Sequence, residues 1–149
     1  MRGKFLLGVL IFGIFLILLV KLGEAATTIT GCTAITTSGE YVLANDIIDS
    51  SASTCIDIQA NQANNVILDC QGHIIDGVDT SGSYGIFVFR PSSTTTNITI
   101  KNCILTDWDN GIYLTSSNNN TLINIIANSN NDFGLYLSSS TYNTLTNIT

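Results

Sequence analysis

One pattern recurs in the second half of this chain at intervals of 22 and 23 residues, and it restricts the fold more than any other sequence feature. Asn102, Asn124 and Asn147 close successive copies of a short motif, read as Ile98-Thr-Ile-Lys-Asn102, Asn120-Thr-Leu-Ile-Asn124 and Asn143-Thr-Leu-Thr-Asn147. A second motif precedes or follows each copy: Gly85-Ile-Phe-Val, Gly111-Ile-Tyr-Leu and Gly134-Leu-Tyr-Leu. Val66-Ile-Leu-Asp-Cys70 reads as an older copy, with Cys70 in the asparagine slot and a longer, 32-residue step to the next. That longer step predicts a loop bulging out near Val78–Ser83 or Pro91–Thr96. The segments are short and alternate apolar with polar residues, which is strand periodicity. A unit this small cannot close its own core, whereas stacked units can. Each coil's strands then bond to coils about 4.8 Å above and below. The stack predicts inward ladders such as Ile86/Ile112/Leu135 and Ile100/Leu122/Leu145, with asparagine amides bonding to each other at a corner.

Composition agrees with this. Asn, Ser and Thr supply 49 of the 124 residues after Ala25, while Lys and Glu, the usual occupants of exposed helix faces, are nearly absent. In the same stretch ten carboxylates face only Arg90 and Lys101, a balance that repels phosphate backbones and excludes nucleic-acid binding. At the N-terminus, Arg2 and Lys4 precede the apolar run Phe5–Val20, and Gly23 and Ala25 have the small side chains of a cleavage site. Residues 1–25 are read as a secretory signal peptide, the alternative being an uncleaved anchor, with no other membrane contact. Residues 26–54 are read as an N-terminal cap with the first strands, and 55–149 as repeats incomplete at the C-terminus. Export makes Cys32, Cys55, Cys70 and Cys103 candidates for bridging. A Cys32–Cys55 bridge is expected to tie the cap to the body; Cys70 and Cys103 could form a second bridge or stay buried thiols.

The run Asn65-Val-Ile-Leu-Asp-Cys-Gln-Gly-His-Ile-Ile-Asp-Gly77, followed by the Gly-Ile-Tyr-Leu and Asn-Thr-Leu-x-Asn repeats, resembles the right-handed parallel β-helix proteins. Within them it is most similar to the NosD-like branch of the pectin-lyase-like fold. The resemblance covers about positions 31 to 149 and implies an all-β, right-handed β-helix of about four coils with three sheets per turn. It also implies an exported protein, periplasmic, secreted or at the cell surface. About four coils make only ~20 Å of solenoid with an uncapped last turn, so further coils of the same gene product are expected beyond Thr149, or else another chain or a cell-surface layer covering that end.

Chemistry-bearing residues are sparse. Asp107-Trp108-Asp109 is the best local candidate for carbohydrate or calcium contact, because acids at i and i+2 of a strand share a face and Trp108 could stack on a sugar. Tyr113 and Tyr136 recur at one repeat position with Phe87; aliphatics inward would leave these rings outward as a sugar-contact stripe. Asn97, Asn119 and Asn147 fit the N-glycosylation pattern. No catalytic residue, cofactor or metal site is assigned. Asp46, Asp49, Asp57, Asp69, Asp76 and Asp79 read as solubilising charge in turns. His73, in Cys70-Gln-Gly-His73, invites a copper reading from the NosD resemblance, but it is the single histidine and the only methionine is Met1. The expected function is an exported non-catalytic scaffold, adhesion or carbohydrate-contact module, with polysaccharide or cell-surface partners. Its rivals are part of a polysaccharide lyase or glycoside hydrolase with catalytic coils beyond Thr149, and a NosD-like copper-handling accessory.

Overall fold

The structure, a computed structural model, describes residues 25–59, 62–89 and 96–149. The signal segment and Arg90 lie outside these. Twelve strands and no helix occur among the described residues, so none of them forms a helix able to cross a membrane. The strands are β1 (Thr27–Ile29), β2 (Thr33–Ile35), β3 (Gly39–Leu43), β4 (Thr54–Gln59), β5 (Val66–Asp69) and β6 (Ile74–Asp76). They continue as β7 (Tyr84–Phe89), β8 (Thr99–Thr106), β9 (Asn110–Thr115), β10 (Thr121–Ala127), β11 (Phe133–Ser138) and β12 (Thr144–Ile148). Every pairing is parallel and joins strands of successive turns, in the orders β1-β3-β5-β8-β10-β12 and β2-β4-β7-β9-β11. This is a parallel β-helix.

By hydrogen bonding there are two sheets, yet the larger is creased into two faces. The first half of β8 (Thr99–Lys101) pairs with β5 and its second half (Ile104–Thr106) with β6. Between the halves Asn102 adopts φ 56°, and Asn124 in β10 repeats it at 54°. A left-handed residue cannot continue a strand, so the chain turns there while the ladder of backbone bonds runs on. Three faces per turn result. Other corners use the same device, in the columns Asn65, Asn97, Asn119 and Asp49, Asp79, Asp107. Asn and Asp tolerate this conformation better than other side chains, which explains why the sequence concentrates them at fixed spacing.

Registers confirm the inward ladders. Ile100 pairs with Leu122 and Leu122 with Leu145, while Ile86 pairs with Ile112 and Ile112 with Leu135. Ile56, Ile86, Ile112, Ile100 and Leu122 are completely buried, each contributing roughly 1.5–3 kcal/mol. Leu145, on the last turn, is 46% exposed.

The amide ladder also forms. Asn124 Nδ2 donates to Asn102 Oδ1 and Asn147 Nδ2 to Asn124 Oδ1, both at 3.0 Å. At its lower end the register puts Cys70 in the asparagine slot, next after Asp69↔Lys101, as the sequence alignment has it, and the amide bond goes to the neighbouring residue: Asn102 Nδ2 donates to Asp69 Oδ1 at 2.9 Å. Cys70 turns inward and bridges to Cys103, and Cys32 bridges to Cys55, each linking one turn to the next.

The long coil is not lengthened by one loop. Pairing shifts from Asp69↔Lys101 to Asp76↔Thr106 place two extra residues in the Cys70–His73 turn. The shift to Ile86↔Ile112 places four more before β7, and that from Phe89↔Thr115 to Thr121↔Thr99 the last four after it. The extra residues are thus divided among three connections, where the sequence reading placed them in one loop at either of two positions.

Replacing Asn124 with Ala removes one bond on each side of the ladder. It is expected to lower unfolding free energy by about 1–3 kcal/mol in a urea titration, with the strand signature in circular dichroism retained.

Candidate functional site

Three places outside the core gather side chains with chemical potential: an aromatic face, an acidic corner and the turn carrying His73.

The aromatic face lies on β7, β9 and β11. Ile86, Val88, Ile112 and Leu114 are fully buried, so alternation sends Phe87, Tyr113 and Tyr136 to the outer side. Their rings stack turn upon turn, with centroids 5.7 Å apart for Phe87–Tyr113 and 4.9 Å for Tyr113–Tyr136. Tyr84 joins at 5.0 Å from Phe87 and 5.2 Å from Tyr113, Phe133 at 4.9 Å from Tyr136, and Phe89 at 6.2 Å from Phe87. Phe89 and Phe133 remain 41% and 43% exposed. Burial among these rings, with the neighbouring Tyr136 and Tyr84 hydroxyls, pushes the Tyr113 phenol above its ordinary value. Sequence reading found the central column and missed Tyr84 and Phe133. Their signal was present: each immediately precedes the repeat glycine, in Tyr84-Gly85 and Phe133-Gly134.

The acidic corner overturns the expected Asp107-Trp108-Asp109 arrangement. The tripeptide is a turn and not a strand, with Asp107 at φ 57°, so its two acids share no face. Trp108 is completely buried and donates its indole N–H to the Ile75 carbonyl at 2.9 Å. It therefore cannot stack on a sugar from outside. Gly77 makes room for it, since a Cβ there would lie 2.8 Å from the indole and 2.3 Å from the Asp107 carbonyl. Asp109 accepts from Gly82 N at 2.7 Å and from Asn131 Nδ2 at 3.2 Å. Asp107 instead faces acids of earlier turns. Desolvation, then the adjacent Asp76, then Asp79 and Asp49 hold its carboxyl above the usual 3.8. Burial pushes Asp76 up as well, but bonds from Asp49 N, Thr106 Oγ1 and Asp107 outweigh it and leave Asp76 below that value. Among the described residues no three His, Cys, Asp or Glu side chains are arranged to hold a metal ion.

Two of the other acids read as solubilising charge in turns, Asp69 and Asp46, are structural partners instead. Asp69 accepts from Asn102 and Gln71 N and pairs with Lys101 Nζ at 3.1 Å. Asp46 Oδ1 accepts from Ile74 N at 3.0 Å and lies 2.9 Å from His73 Nδ1. The Ile74 bond, then His73, hold the Asp46 carboxyl below the usual 3.8. Asn97, Asn119 and Asn147 are exposed at corners, although Asn97 and Asn147 already donate their Nδ2 to Asn65 and Asn124.

The chain matches, over residues 25–149, the family described as periplasmic copper-binding protein (NosD). It belongs to the NosD family. No curated protein and no solved structure matches it. The family's periplasmic character makes this an exported protein. The family's metal fits these residues poorly: both nearby cysteines are bridged, and His73, the single histidine, stands as a lone imidazole donor.

The acidic corner yields a pH test. Because the folded-state pKa of Asp107 is raised, its ionisation opposes folding as pH rises through that value, and the penalty vanishes below the unfolded value near 3.8. Asp107→Asn keeps a side chain suited to φ 57°. Its melting temperature should exceed wild type at pH 7 and converge with it near pH 3, followed by thermal circular dichroism.

Proposed function

We propose that this chain is an exported, non-catalytic β-helix scaffold that contacts carbohydrate at the envelope or cell surface through its aromatic face. The observation that carries this reading is the outward column of Phe87, Tyr113 and Tyr136, flanked by Tyr84, Phe89 and Phe133. An aromatic ring offers a sugar an apolar surface, and tyrosine adds a hydroxyl that bonds to water or to the sugar's own hydroxyls. The stack is held on a rigid sheet, so little ordering is needed when a ligand binds. Repetition at each turn suits a ligand that is itself a repeating chain.

The enzymatic alternative finds less support. A glycosidase needs two carboxylates set across a sugar linkage. Asp107 and Asp109 diverge, and Asp107 leans on Asp76 in a crowd of like charge. A lyase needs a basic side chain near the substrate's acid; Lys101 is paired with Asp69, and Arg90 lies outside the described residues.

Retardation on gels containing neutral or acidic polysaccharides, followed by calorimetry on the best ligand, tests the proposal. Tyr136→Ala should weaken binding by about 0.5–1.5 kcal/mol, roughly two- to twelve-fold, and Asp109→Asn should leave it unchanged. Release of reducing ends or unsaturated products would favour the enzymatic alternative. Binding that ignores Tyr136 would remove the aromatic face from the mechanism.

A further inference from the structure

We infer that the β-helix of residues 25–149 has no copper site, contrary to the metal named in its family's description, and that its Cys-x-x-His sequence is a structural latch. Copper in N, O and S sites draws on imidazole, thiolate or thioether, with several such donors converging on one point.

Too few such donors are present to converge. His73 is the single histidine of the sequence; with Nδ1 held by Asp46 Oδ1 at 2.9 Å it offers Nε2 alone, one donor where several are needed. The four cysteines form two bridges and leave no thiol. The only methionine is Met1, which precedes the described residues. Reduction would not assemble a site either. Cys70 and Cys103 have no exposed surface and belong to the interior, whereas the His73 side chain is 32% exposed on the outside. The spacing that looks like a ligand pair in one dimension is divided by the wall of the coil.

The same residues do have a visible task. The His73–Asp46 contact and the Ile74 N bond to Asp46 pin the segment before β4 onto the turn between β5 and β6. Ile47 N bonds to Ile74 O and Asp76 N to Ile47 O, both at 2.8 Å, extending that attachment along β6. The disulfide fixes the other side of the same turn to β8.

The test titrates the oxidised protein with Cu(II), read by calorimetry and electron paramagnetic resonance. Cu(I) is added separately, read by competition with a coloured chelator. Metal content after desalting is measured for wild type and His73→Ala. No stoichiometric copper should be retained in either form, the two titrations should superimpose, and His73→Ala should unfold at lower temperature. If His73→Ala fails to fold, the wild-type titration decides alone. One equivalent of copper held by the oxidised wild type, whether or not His73→Ala abolishes it, would overturn the inference.

Discussion

The fold depends on one constraint: every turn of the coil must lie in register on its neighbours. A single turn holds only short strands, of three to eight residues, and has no interior of its own. In the stack, the backbone groups of β8 are bonded by β5 and β6 on one side and β10 on the other. The apolar columns close for the same reason. Leu68, Ile100 and Leu122 are sealed because each lies between two others, while Leu145 has a neighbour on one side only and stays partly open.

Register would be easy to lose in a stack of similar strands, since a slip of one residue exchanges inside for outside. The corners resist such slips. A left-handed Asn at each turn places its amide in line with the amide of the next turn, and a shift would break both the conformation and the bond. Where the column ends, a carboxylate closes it: Asp69 accepts from Asn102 and gains Lys101 as counter-charge. Two disulfides reinforce the part of the coil where turn lengths are least regular.

Because the interior is committed to repetition, diversity is left to the outside. The outer face of β7, β9 and β11 collects aromatics, and the corner near Asp107 collects acids that repel one another. Such a solenoid is a rigid rod with differentiated sides. The NosD family assignment fixes the kind of rod and its exported setting.

The stacked architecture, the inward ladders and the outward tyrosines were all legible in the order of residues, because a periodic pattern of period two can be buried in only one way once it repeats every coil. What the linear order left open were contacts between residues about 30 positions apart. Trp108 is inside because the turns carrying Gly77 and Ile75 lie directly beneath it. Asp107 senses Asp76 and not Asp109, two residues away, since a left-handed corner parts neighbours in the chain while stacking joins distant ones. Cys70 and His73 share a motif but not a side of the wall, and only the path of the backbone through its turn decides that. Repeats specify the rungs; the three irregular connections of the long coil, which no repeat copies, required the folded chain to place them.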